Sequence, residues 1–484
     1  MTAALFGVAG YLALGVLGFL GRGWWLGVLA WATGVGSLIA WAPGFPETVL
    51  GLGPWGIRLV GDTVALGFWS LALVLHAAVL WEERRQKGVF HPLLTLLVGT
   101  TLALVLSQDL FNLYVCLELT SLLSFLLVGY ESRPASVWAS LQYLILTTVG
   151  MILYLFGVGL VYGRLGTLAL SEISHLAEGG DPALSVGAGL LLSGAAVKGG
   201  VFLFGLWLPW AHGRAPHSVS ALLSGLVVKM GIVTLFRLGE AFSAGPVLVT
   251  LGILTGFGGL VYALWEQDLK YFLAYHTTSQ LGYMLIGFGL FGAWGGLLYA
   301  FAHGLFKALL FLSAGKAIAQ AGSRRIRDLG GRLGWGPALG LAVGTWAIAG
   351  LPPLAGFTAK GVLGATLPAW GKWLLFALGV GTVASFAKLV PLLRPGGGKL
   401  RLAGEIPLVL TLFALSGWSF VSYPLLLDPY LWGQSGLSLA LGVLVFSLTR
   451  RFHPRLPQLT LDRATLTLLL GSVGVALGLL IPLP

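Results

Sequence analysis

Apolar and polar positions alternate along this chain in long blocks rather than within helical turns. Runs of about 18 or more mostly apolar residues, each long enough to cross a bilayer as a helix, are separated by short segments that collect the charges. About sixteen such runs can be drawn, at 2–20, 24–41, 62–81, 91–107, 109–130, 137–162, 184–208, 217–238, 245–265, 271–292, 294–319, 337–360, 373–393, 404–426, 433–449 and 463–482. The run at 2–20 has no basic residues before it, so it is read as a mature helix and not as a signal peptide. The pattern predicts an all-α polytopic membrane protein with about 14–16 transmembrane helices.

Composition supports this. The chain is 57% hydrophobic and 9% charged, against about 25% charged residues in soluble domains. No stretch of polar sequence is long enough for a separate soluble domain. The single cysteine, Cys116, leaves no internal disulfide and no cysteine-held cluster. Neither a GxGxxG strand–helix junction nor a P-loop occurs. The chain is therefore expected to hold no cofactor, and redox or ATP chemistry would sit on a partner.

The net charge of +11 follows the rule that basic residues mark cytoplasmic loops, which is preferred to a nucleic-acid reading. Loops from odd to even spans hold Arg22, Arg84, Arg85, Lys87, Arg133, Arg214, Lys270, Arg324, Arg325, Arg327, Arg332, Arg394, Lys399, Arg401, Arg450, Arg451, Arg455 and Arg463. Loops from even to odd spans hold only Arg58, Arg164, Arg237 and Lys372. This asymmetry places both termini outside the cytoplasm.

Six lysines break that pattern. Lys198, Lys229, Lys307, Lys316, Lys360 and Lys388 fall inside apolar runs, where a lysine at a helix centre costs roughly 2.5–3.5 kcal/mol. Lys316 and Lys388 lie near run ends, within reach of the headgroups by snorkelling. Glu118 is an acid midway along its own run. Ion pairs that fix helix packing are one reading of the set. The other is functional: lysines outnumber the acid, and burial without a partner disfavours the ammonium form, so such a group can pass a proton on.

The chain also resembles itself at an offset near 160 residues. "ELTSLLSFLLVGY" (118–130) aligns with "HTTSQLGYMLIGF" (276–288), and "VKGGVFLFGLWLPW" with "AKGVLGATLPAW" (359–370). Lys198 then matches Lys360, and Lys229 matches Lys388. Five spans in each copy, an odd number, predict two inverted five-helix repeats, spans 4–8 and 9–13. The expected divisions are 1–90, 91–240, 241–400 and 401–484. Pro209 in the seventh span, and Gly350, Pro352, Pro353 and Gly356 in the twelfth, predict discontinuous helices beside Lys198 and Lys360.

"LAYHTTSQLGYMLIGFG" (273–289), "HGLFKALLFLSAG" (303–315), "WLPWAHGRAPHSVSALLSGLVVKMGIV" (207–233) and "LPPLAGFTAK" (351–360) resemble the antiporter-like subunits of respiratory complex I, Mrp-type cation/proton antiporters and membrane-bound hydrogenases. The resemblance implies fourteen core helices and proton half-channels joined by a polar axis at mid-membrane. It implies a Glu118–Lys198 pair, a relay at Lys229, a central His303–Lys307 motif, and a terminal group at Lys360, with Lys388 as the repeat partner of Lys229. The partners it implies are other membrane subunits of a hetero-oligomeric complex in a bacterial or archaeal inner membrane, with protons or sodium ions as cargo and no nucleic acid. The last two runs lie beyond the fourteen-helix core. A stand-alone transporter of a small solute and a non-transporting scaffold are the alternatives. One asparagine, Asn112, and few glutamines favour small ions over a solute. A metal site at His212 and His217 is set aside in favour of loop histidines near a proton entrance.

Overall fold

The computed structural model describes residues 1–21, 23–41, 44, 46–51, 56–177, 181–291, 293–397, 400, 402–452, 454, 456–457 and 460–480. The loop cations Arg22, Lys399, Arg401 and Arg455 lie outside the described residues. Helices follow in chain order as α1 (Thr2–Leu17), α2 (Gly23–Trp41), α3 (Thr63–Glu82), α4 (Phe90–Leu106), α5 (Leu110–Val128), α6 (Pro134–Leu165), α7 (Leu170–Leu176), α8 (Pro182–Lys198), α9 (Trp207–Arg214), α10 (His217–Leu222), α11 (Val228–Ala241), α12 (Gly245–Trp265), α13 (Leu269–Phe291), α14 (Ala293–Ala321), α15 (Ile326–Leu329), α16 (Trp335–Ala349), α17 (Ala355–Thr366), α18 (Ala369–Phe386), α19 (Glu405–Ser422), α20 (Pro429–Thr449) and α21 (Leu461–Leu480). A π-helical turn, Leu223–Val227, joins α10 to α11, and a 3-10 segment, Ala387–Leu393, extends α18.

Each apolar run falls on one helix or on two successive ones. Among the described residues, 12 helical segments are long and apolar enough to cross a membrane unaided. The remaining runs fall short for visible reasons. α4, α8 and α16 are shorter apolar helices, and α13 carries the polar string His276-Thr277-Thr278-Ser279-Gln280. Helix starts are fixed locally: Asp62, Asp109, Asp181 and Asp428 accept backbone N–H bonds as N-caps, and Pro134, Pro182 and Pro429 occupy first-turn positions that need no N–H donor.

The sequence between α2 and α3 forms a hairpin, which the apolar pattern does not predict. Its strands β1 (Glu47–Leu50) and β2 (Ile57–Val60) are antiparallel, with Glu47 opposite Val60. The Arg58 carbonyl accepts the Gln108 N–H at 3.0 Å, tying the hairpin to the start of α5.

Packing order repeats along the chain. α4 packs on α5, α5 on α6, and α6 on both α8 and α9; α12 packs on α13, α13 on α14, and α14 on both α16 and α17. The same backbone clip opens the second helix of each series. Leu110 N–H donates to the Leu168 carbonyl at 2.9 Å and Leu170 N–H to Gln108 at 3.0 Å. Leu269 N–H donates to Arg324 and Ile326 N–H to Gln267, both at 2.9 Å. Both clips are built on the tripeptide Gln-Asp-Leu, at 108–110 and 267–269, whose aspartate caps the helix that follows.

Both predicted breaks are present, and the first has a different cause from the one expected. α8 ends at Lys198, and the chain leaves the helix through Gly199 and Gly200, the latter at φ 66°. Pro209 instead lies in the first turn of α9, where proline is tolerated. The second break follows the sequence: α16 ends on Gly350 at φ 75°, and Leu351–Leu354 lead into α17.

The most deeply enclosed spans are α10–α11, 100% buried over their most apolar window, and α14, 94% buried; α20 is 11% buried. The innermost helices thus carry Lys229, His303 and Lys307, while α20 presents its surface outward.

Candidate functional site

Lys198 is the last residue of α8, so its ammonium lies by the carbonyl end of that helix, which favours a cation. Its Nζ donates to Glu118 Oε1 at 2.9 Å and to Ser121 Oγ at 2.5 Å. Lys198 is 4% exposed, whereas the Glu118 side chain keeps 33% of its surface. The broken helix end is held on two sides. Trp207 Nε1 donates to the Val197 carbonyl at 2.8 Å. On the other side, Gly231 of α11 packs so closely that a Cβ there would lie 2.1 Å from the Gly199 nitrogen.

Lys229 follows the π-turn, whose irregular bonding leaves carbonyls open to side chains. Its Nζ donates to the Ser224 carbonyl and meets His303 Nδ1 at 2.7 Å. That contact joins α11 to α14 where two glycines cross: a Cβ on Gly304 would lie 3.0 Å from the Gly225 carbonyl oxygen, and one on Gly225 would lie 3.3 Å from that of Gly304. Lys307, one turn beyond His303, donates to the Leu273 carbonyl at 2.5 Å and stands 5.4 Å from the Phe311 ring centre.

In the second half, Lys360 Nζ reaches back across the break to the Ile348 carbonyl at 2.9 Å. Gly350 makes the room, since a Cβ there would meet Lys360 Cδ at 2.8 Å. Lys360 also lines a cavity of about 360 Å³ bordered by Lys372, Asp428 and Gln434. Lys388 donates to the carbonyls of Ala263 (2.8 Å), Leu264 (3.1 Å) and Glu266 (2.9 Å), capping the end of α12. Arg237 does the same for α4, through the carbonyls of Val105 and Ser107. By contact, then, Lys388 is matched by Arg237, while Lys229 reaches the centre.

The structure brings in two histidines that the sequence does not place in the site. His276 is the repeat partner of Glu118 in the internal alignment, which is the signal that could have found it. It is buried, its Nε2 lies 2.6 Å from Ser385 Oγ, and its electrostatic neighbours are Lys307, Lys388 and Lys360. His212 is not in a loop: it is a buried residue of α9, stacked on Phe311 at 5.0 Å, with Lys307, Lys270 and Lys229 as charged neighbours.

Three cations are also corrected. Arg237, expected in a loop, is buried in α11 and reaches Asp62 at 3.4 Å. Lys270, also expected in a loop, is buried and donates to the Ala215 carbonyl. Lys316 does not run free to the headgroups but is clamped between Glu82 (2.9 Å) and Glu405 (2.6 Å).

A family described as NADH:quinone oxidoreductase/Mrp antiporter, transmembrane, matches residues 107–385. The NADH-quinone oxidoreductase subunit N of Desulforudis audaxviator is 31% identical over 351 residues, 67% of this chain and 69% of that protein. A Na(+)/H(+) antiporter subunit of Alkalihalophilus pseudofirmus is 32% identical over 339 residues, 65% of this chain and 68% of that one. Among solved structures, a chain of the Mrp complex from Dietzia sp. superposes with a TM-score of 0.78 at 26% identity; the match covers 98% of this chain and 60% of the Dietzia chain.

Proposed function

Because the chain belongs to the NADH:quinone oxidoreductase/Mrp antiporter transmembrane family, we propose that it conducts protons along Glu118, Lys198, Lys229, His303, Lys307, Lys360 and Lys388, with His212 and His276 beside them. It is an antiporter-like subunit of the complex I and Mrp type of membrane assembly and a multi-pass integral membrane protein. Other membrane subunits are its partners. Its basic loops face the cytoplasm and its termini the opposite side. The repeated Gln-Asp-Leu clips support two inverted units, at 91–240 and 241–400.

One observation carries this reading. Among the described residues, Lys229, Lys307, Lys360 and Lys388 hydrogen-bond to backbone carbonyls or to an imidazole, and none of them to a carboxylate. Ion pairs that merely fasten helices would place acids opposite these ammonium groups. Carbonyls accept from an ammonium and from a neutral amine alike, so each lysine keeps its place whether or not it holds the extra proton. Glu118 supplies a carboxylate in direct contact with a lysine of the series, Lys198, at 2.9 Å. When that carboxylate is neutralised or turns away, the ammonium loses its counter-charge and its proton is released inward, toward Lys229 and His303.

The test is Lys307→Arg beside Lys307→Ala, in the purified complex reconstituted into vesicles with an internal pH dye. Guanidinium keeps its charge and does not release its proton. Both variants are expected to assemble and to lose proton transport. Wild-type transport by Lys307→Arg would overturn the relay.

A further inference from the structure

A second group of titratable side chains lies outside this series, at the end of α3 beside the basic segment Arg84–Lys87. Glu82 and Glu405 share the Lys316 ammonium; Glu82 also accepts the Gly404 N–H at 3.1 Å, and Glu405 the Ala403 N–H at 2.9 Å. Glu405 is fully buried, and its Oε1 has no partner among the described residues. His217, the first residue of α10, places Nε2 3.7 Å from Glu82 and 4.0 Å from Glu83, with 34% of its side chain exposed. Glu82 and Glu405 hold the Lys316 ammonium, while Glu82 and Glu83 turn carboxylates toward the His217 imidazole, which gives the imidazole a locally acidic setting within a basic stretch of surface.

From there the structure leads inward along one face of α14. Lys307, Phe311 and Gly315 are spaced four apart, so they share that face over about 12 Å. His217 lies on Gly315, where a Cβ would stand 2.2 Å from His217 Cβ. His212 stacks on Phe311 at an interplanar angle of 10°. Both ring nitrogens of His212 are buried without a partner among the described residues, and its charged neighbours include Lys307. Two imidazoles thus stand in sequence between the surface and the central lysine, and the glycine gives the outer one its place.

We propose that Glu82 and His217 form a proton-uptake port that feeds Lys307 through His212, separate from the Glu118–Lys198 pair. His217 takes a proton from solution at its exposed face. It gives that proton up inward to His212, which passes it to the Lys307 amine, and each imidazole returns to its neutral form. Glu82, Glu83 and Glu405, together with Lys316 and the neighbouring Arg84, Arg85 and Lys87, set the potential at the port, and Gly315 is a positioning residue. The proposal rests on the proton-conducting reading above.

The test measures initial proton-transport rates in vesicles containing the complete complex, at pH 6 and pH 8 on the face bearing Arg84 and Arg85. His217→Gln is the primary variant, with Glu82→Gln and Gly315→Ala beside it and Lys307→Arg as the reference. With proton capture limiting, His217→Gln loses roughly tenfold more rate at pH 8 than at pH 6, below the full worth of a positioned proton carrier because water replaces it in part. Gly315→Ala reproduces that pH dependence by displacing the imidazole. A His217→Gln rate that stays parallel to wild type at both pH values overturns the port. If Lys307→Arg is inactive in the same experiment, the conducting series stands and the port alone falls. Because His217 is partly exposed, its variant tests the port even if Glu82→Gln prevents assembly.

Discussion

Replacing Glu118 by glutamine removes one charge and little volume. At the observed 2.9 Å separation from Lys198, and with an effective dielectric constant of about 20, the Coulomb attraction is about 6 kcal/mol. The Glu118 side chain is 33% exposed, and solvent screening reduces that figure to about 3 kcal/mol. A difference of this size changes the balance between ammonium and amine at Lys198 by about 100-fold. Ser121 and the carbonyl end of α8 remain, so the lysine keeps its position and the effect is electrostatic. Glu118→Gln should therefore lower proton transport by one to two orders of magnitude, read with an internal pH dye in vesicles, while co-purification with the other membrane polypeptides is unchanged. Glu118→Asp draws the carboxylate back by about one carbon–carbon bond, which leaves about two thirds of the attraction and an intermediate rate. If Glu118→Gln transports at the wild-type rate, or Glu118→Asp is slower than Glu118→Gln, the charge on this residue does not control Lys198 and the reasoning fails.

Two further outcomes follow from the packing and the charge pattern. Gly231→Ala would force a Cβ to within 2.1 Å of the Gly199 backbone nitrogen; the strain should cost about 1–3 kcal/mol, lower the thermal midpoint of the complex and slow transport by shifting Lys198 from Glu118, and an unchanged midpoint with unchanged transport would refute it. With Cys116 replaced by serine, a single cysteine at Arg85 should react with a membrane-impermeant maleimide only from the cytoplasmic side, and one at Lys372 only from the opposite side; the reverse pattern would invert the proposed topology.

What can be read from the sequence depends on how far a residue's partner lies from it. Among the described residues, the apolar runs lie on helices apart from the two breaks, because a bilayer-spanning segment must satisfy its own backbone, a local requirement that the residues themselves meet. The break at Gly350 is legible because glycine and two prolines adjoin it. At the first break proline is the louder signal and draws the assignment to Pro209; Gly199 and Gly200 make the break, and the proline rests harmlessly in the next helix. The same misreading puts His212 in a loop. Arg237 and Lys270 read as loop residues because a charge at the edge of an apolar run looks like its boundary. Their partners, Asp62 with the α4 carbonyls and the Ala215 carbonyl, are distant in sequence and carry no local sign. The Gln-Asp-Leu pair at 108–110 and 267–269 is visible in the sequence but too short to stand out without the hydrogen bonds that give it a role.

The crossing at Gly225 and Gly304 has a mechanical consequence. Where two helices meet through side chains, the gap between them varies with every rotamer change at the contact. Here each glycine leaves the other's carbonyl within about a side-chain carbon's reach, with the Leu71 and Leu75 side chains packed beside the crossing. The close approach leaves little room between the two segments, and the 2.7 Å contact of Lys229 with His303 lies next to it. A crossing this close is expected to resist separation of the π-turn from α14, so the spacing should vary less than the distant ends of the helices. In the proposed relay, the middle gap would thus be the one held to a single width by the packing of the backbone around it.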